Sequence, residues 1–178
     1  MHEVFFGIFF CFMRKEGRTM KTSLDMIDEK IIEMLQKNAR TSIKDIAAHV
    51  FLSSPAVTAR IERLERNGMV TGYHAQVNSG ALGYKIKAFI NLDLEPIQKK
   101  EFYPFIEEIP NVIECNCVTG EYAMLLEVQF TNTNELDSFI NELQRFGKTR
   151  TQIVFSTPVE HRGVPIGRGD LMAMAREA

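Results

Sequence analysis

The sequence predicts an α+β chain of two small domains, an N-terminal winged helix-turn-helix joined to a C-terminal ferredoxin-like βαββαβ domain. Three observations carry this. Apolar residues recur at helical three-and-four spacing through 24–64, with capping residues between the runs. Alternating apolar and polar residues mark strands only after residue 84, interleaved with two helical stretches. A turn-forming stretch, Asn78-Ser79-Gly80-Ala81-Leu82-Gly83, lies between the two regimes. The 178 residues suffice for two modest cores.

Leu24, Ile27, Ile31, Ile32 and Leu35 form one helical face, which predicts a helix over Asp25 to Lys37. Asp25 is its N-cap, Asp28 brings negative charge into the first turn, and Asn38 is placed for a left-handed stop. Ser42 caps a second helix of about two turns with Ile43, Ile46, Ala47 and Val50 as its apolar face. After Phe51-Leu52, Ser53 or Ser54 caps a third helix that carries Pro55 in its first turn. Val57, Ile61 and Leu64 are its inward stripe, and Asn67-Gly68 ends it. Met69 to Val77 is β-branched and aromatic enough to extend as a strand or wing.

Two short helices joined by a tight turn, packed on a first, make a helix-turn-helix. Such units also serve as scaffold or dimerisation modules, and the third helix decides for double-stranded DNA. Its N-terminus is built of small residues (Ser53, Ser54, Pro55, Ala56) that let the helix end approach a groove. Thr58, Arg60, Arg63 and Arg66 lie on its flanks and outer face, within reach of phosphates. The candidate DNA-binding set is therefore Ser53, Ser54, Pro55, Thr58, Arg60, Arg63 and Arg66. The net charge of -2 gives no overall pull toward nucleic acid. Residues 20–75 hold eight Lys+Arg against seven Asp+Glu, whereas residues 76–178 hold ten against fourteen, so the acidity sits in the second half.

In that half, Ile86, Ala88, Ile90, Leu92 and Leu94 alternate with polar or aromatic neighbours, the period of a half-buried strand. Gln98 to Ile109 reads as a helix despite Pro104. Val112 to Val118 and Tyr122 to Phe130 read as strands, Thr133 to Phe146 as a helix, and Thr151 to Val159 as the last strand. Both helices then cover one face of an antiparallel sheet, and a second copy is the economical cover for the other.

The residues Leu24-Asp25-x-x-Asp28-x-x-Ile31-Ile32-x-x-Leu35-Gln36, Arg40-x-Ser42-x-x-Asp45-Ile46-Ala47, Leu52-Ser53 and Val57-x-x-Arg60-Ile61-x-x-Leu64-Glu65-x-x-Gly68-x-Val70-x-Gly72-Tyr73 strongly resemble the Lrp/AsnC (feast/famine) transcription regulators. The resemblance runs to about His161. It implies a DNA-binding regulator that forms dimers or higher assemblies such as octamers through its C-terminal domain. It further implies an effector, usually an amino acid, near the turn between the second and third strands at subunit contacts. Here that turn holds Thr119, Gly120, Glu121 and Tyr122. Gly120 permits close approach to the backbone, and Glu121 either accepts bonds from an amino group or is a solvated hairpin residue. Thr149, Arg150 and Thr151 form a second polar cluster, in which Arg150 either pairs with a ligand carboxylate or is a surface arginine. Two positions depart from the family pattern: Phe51 stands where the family usually has glycine, and Ala123 where members often carry an acid. If Phe51 must take a positive φ, the strain is about 1–2 kcal/mol.

The expected domains are a helix-turn-helix over 20–73, a linker and hinge over 74–84, an assembly and effector domain over 85–161, and a tail over 162–178 with a short helix from Leu171. Val4 to Met13 is apolar or glycine and precedes Arg14, Lys15 and Arg18, the reverse of a signal peptide, and is too short to span a bilayer. Lys15-Glu16-Gly17 can be encoded by a purine-rich ribosome-binding sequence just before Met20, so residues 1–19 are expected to be an upstream extension or a disordered segment. A cytoplasmic location fits this and the three cysteines. Cys115 and Cys117 share a strand face but lack the partners of a tetrahedral metal set, and read as small apolar residues.

No phosphate-binding glycine loop, dinucleotide fingerprint or nucleophile elbow is present, and the four histidines lack ligand spacing. The expectation is a non-enzyme with no cofactor. Two alternatives stay open: a subunit resembling siroheme decarboxylase on the same two-domain plan, and an assembly module with a vestigial helix-turn-helix.

Overall fold

The computed structural model describes residues 24–166. Three helices come first: α1 (Met26–Lys37), α2 (Ile43–Val50) and α3 (Ser54–Arg66). The capping chemistry legible in the chain forms. Asp25 accepts from the Asp28 amide at 2.8 Å while Asp28 accepts from the Asp25 amide, a reciprocal capping box. Ser42 caps α2 and Ser53 caps α3, with Pro55 in the first turn. Ile31, Ile32, Ile46, Ala47, Val50, Val57, Ile61 and Leu64 make one buried core. Asn38 departs from expectation. It is extended, and its Oδ1 accepts from the Arg40 amide, so the chain leaves α1 through a side-chain turn.

Met69 to Val77 forms no strand, contrary to its β-branched composition. Residues 69–76 belong to a unit whose described residues contain no other strand, so no ladder partner is available. The segment is instead pinned by Tyr73, whose hydroxyl donates to Glu65 at 2.7 Å. Partial burial and the Glu65 carboxylate together push the Tyr73 phenol up to about 12.

The second unit, residues 77–158, holds β1 (Ile86–Leu92), a short 3-10 turn, α4 (Lys99–Glu107), β2 (Val112–Cys117), β3 (Met124–Phe130), α5 (Thr133–Leu143), a second 3-10 turn (Gln144–Phe146) and β4 (Thr149–Ile153). All pairings are antiparallel in the order β2-β3-β1-β4, the expected βαββαβ arrangement. Ala88, Ile90, Leu92, Met124, Leu126 and Val128 turn their side chains to a core completed by Phe102, Ile106, Leu136, Phe139 and Leu143 from the helices. The last strand is shorter and earlier than predicted, spanning Thr149–Ile153 and pairing with β1 from Leu92 to Ala88. The two helices likewise finish earlier than predicted, at Glu107 and Leu143.

Residues 159–166 return to the helical unit, where Ile166 packs on the three-helix core. The expected extension over 1–19 and the terminal helix from Leu171 lie outside the described residues. Among the described residues, no helix is long and apolar enough to cross a membrane.

Candidate DNA interface and effector region

The helix-turn-helix presents α3 by its N-terminus. Ser53, Ser54, Pro55 and Thr58 are exposed, as short-chain residues must be for a groove to accept them. Arg66 is also exposed and, among the described residues, makes a loose pair with Glu62 at 3.6 Å. From Ile46 to Ile61 the chain carries no carboxylate.

Arg60 and Arg63 are placed differently from expectation. Arg60 donates to Asp25 at 2.7 Å and to Asp28 at 2.8 Å, and Arg63 donates to both oxygens of Asp28 at 2.7 and 2.6 Å. Asp28 is 1% exposed, whereas the two arginine side chains are 25% and 41% exposed. The carboxylate is buried, and two guanidinium groups 32 and 35 positions away compensate it. This cluster fastens α3 to α1 rather than leaving both arginines on the outer face. The Arg60 bond holds the Asp25 carboxyl below its usual range, and its carboxylate partners raise Arg60. Two further cations lie near the turn, outside the set named from the sequence. Arg40 and Lys44 flank the N-terminus of α2, exposed and without a salt bridge among the described residues. The signal was their position around Ser42, since the helix before a recognition helix crosses the DNA backbone.

Phe51 takes the strained conformation anticipated, with φ 57° and ψ 40°, between α2 and the cap of α3. Its side chain is 93% exposed.

In the second unit, register brings the two predicted effector segments to one end of the sheet. Cys117, Met124, Leu92 and Thr149 form one row across all four strands. The turn of Thr119, Gly120, Glu121 and Tyr122 follows Cys117, and the Thr149-Arg150-Thr151 cluster begins at the other edge. The turn closes through Val118 N–H to the Ala123 carbonyl at 3.0 Å, and Ala123 N–H donates to Leu92 at 3.1 Å. Gly120 has φ +122°, with open space where a Cβ would stand, so its backbone is accessible. The polar cluster does not act as one surface. Thr149 and Thr151 lie opposite Leu92 and Ile90 on the helix-covered face, while Arg150 lies opposite Asn91 on the other. An open depression lined by Asn111, Asn134, Glu135, Ser138 and Glu142 sits at the far end, away from both segments.

Neither helix covers the opposite sheet face. Phe89, Asn91 and Leu125 are half-buried there beside a Lys87–Glu127 ion pair at 2.9 Å. Among the described residues no cluster of His, Cys, Asp and Glu is suited to hold a metal ion.

Two family models match this architecture domain by domain: a winged helix-turn-helix DNA-binding domain over residues 24–71 and an Lrp/AsnC ligand binding domain over residues 87–164. The chain belongs to the Lrp/AsnC family. Like the HTH-type transcriptional regulator LrpA of Bacillus subtilis, with which it is 36% identical over 74% of this chain and 97% of the relative, it is a two-domain transcriptional regulator. It is similar in fold to B. subtilis LrpC, with a TM-score of 0.74 at 27% identity, covering 78% of this chain and 99% of the other. A Neisseria meningitidis transcriptional regulator solved as an L-Met complex is similar too, with a TM-score of 0.73 at 27% identity over 79% and 94% of the two chains. These Lrp/AsnC relatives are named as regulators, which does not favour the siroheme decarboxylase alternative.

Proposed function

We propose that this Lrp/AsnC regulator works as a dimer or larger assembly that presents paired α3 helices to successive major grooves. The observation that carries the reading is the exposed α3 N-terminus, in a stretch without carboxylates, on a helix that Arg60 and Arg63 fasten to α1 through Asp28. Ser53, Ser54, Pro55 and Thr58 are the groove-facing set, and Arg66 contacts phosphate. Arg60 and Arg63 contribute first by holding α3 in place. The sheet face bearing Phe89 and Leu125 packs against a second copy, which sets the spacing of half-sites.

An amino acid or similar small molecule is the proposed effector, held at subunit contacts by the Thr119, Gly120, Glu121 and Tyr122 turn together with Arg150, which the same end of the sheet carries on the face left open for a second copy. The L-Met complex of the N. meningitidis relative supports this class. Binding acts by favouring one assembly or helix spacing over another. The test is selection of bound duplexes by the full chain, then titration across salt and with the common amino acids. Steep loss of affinity with salt, shifted by at least one amino acid, is expected. Salt-independent or absent binding would contradict it.

A further inference from the structure

Phe51 combines a backbone conformation that costs free energy with an apolar ring left open to a partner. It has a positive φ, the one such non-glycine residue among the described residues, and its aromatic side chain is 93% exposed. The backbone is not free to relax, because the Phe51 and Leu52 amides both donate to the Ala47 carbonyl as the close of α2. The left-handed residue is thus the hinge of the turn itself. It stands two positions before Ser53, the cap of α3, and a phosphate backbone can approach this carboxylate-free stretch without like-charge repulsion.

We infer that Phe51 is an additional DNA-contacting residue, packing its ring on the deoxyribose and thymine-methyl surface at the rim of the major groove beside the α3 N-terminus. The inference rests on the DNA-binding reading above and deepens it. The contact is apolar, so it adds affinity without neutralising a phosphate. It therefore leaves the salt dependence of binding unchanged. It also opposes stability to function at one position: glycine relaxes the backbone and removes the contact.

The experiment compares full-length parent, Phe51→Gly and Phe51→Leu on a duplex that the parent selects from a randomised pool. Phe51→Gly is expected to melt at a higher temperature than the parent yet bind about tenfold more weakly, the loss expected for partial burial of one aromatic ring. The slope of affinity against salt and the oligomeric state stay as in the parent, and Phe51→Leu keeps most of the affinity. Equal or tighter binding by Phe51→Gly overturns the inference while leaving the DNA-binding reading standing. A changed salt slope overturns it in favour of a displaced α3, and a changed oligomeric state in favour of a contact between copies. A parent that selects no duplex overturns the DNA-binding reading itself.

Discussion

Asp28 is the residue on which the helix-turn-helix turns. Its carboxylate accepts the α1 cap bond and three arginine bonds while almost wholly buried, so removing its charge strands Arg63 and leaves Arg60 with Asp25 alone. Asp28→Asn is expected to destabilise the helical unit by about 3 kcal/mol, tempered by the partial exposure of both arginines, as read by chemical denaturation. Asp25 offers a pH test. Its folded pKa is lowered by Arg60, so its contribution is present above the ordinary carboxylate value and is lost as pH falls below it through the folded one. Asp25→Asn is expected to flatten acid unfolding in that window, and an unchanged profile would place the acid sensitivity elsewhere.

At the scale of elements, the junction between α5 and β4 is held by a close backbone approach. Gly147 has φ +152°, and a Cβ there would overlap the Asp93 carbonyl, while Asp93 N–H donates to Lys148 at 2.9 Å. This fixes β4 beside β1 and so sets the register that carries Thr149, Arg150 and Thr151. Gly147→Ala is expected to cost roughly 3 kcal/mol and lower the melting temperature of the second unit, because backbone must move to admit the methyl group. Gly120→Ala, where space is open, is expected to cost less and to appear chiefly as altered amino-acid response in DNA-binding titrations.

For the whole molecule, the two domains divide their tasks, and substitutions are expected to separate them. Arg66→Ala weakens DNA binding and lowers the salt slope by about one while stability holds. Arg60→Ala and Arg63→Ala weaken binding together with stability, since both side chains first serve the Asp28 cluster. None of the three is expected to alter the oligomeric state by sedimentation, because the proposed assembly surface lies in the other unit. Dissociation of the Arg66 variant would contradict that division.

The amino-acid sequence by itself determined the helices, the N-caps of the first three, the inward stripes and the order of elements along the second unit. These rest on neighbours three or four positions apart, or on alternation within one strand, and on a family pattern that spans both domains. It also singled out Phe51 as a turn residue that would be strained if its φ were positive, and the φ of 57° is a tertiary finding. Tertiary structure alone decided the partners of Arg60 and Arg63, because a buried carboxylate draws cations from wherever the chain folds back, here more than thirty residues away. It split Thr149 and Arg150 between two sheet faces and aligned them with the Gly120 turn, because register is a property of paired strands. Met69 to Val77 had the composition of a strand but remained without one, because a strand needs a partner and its unit provides none among the described residues.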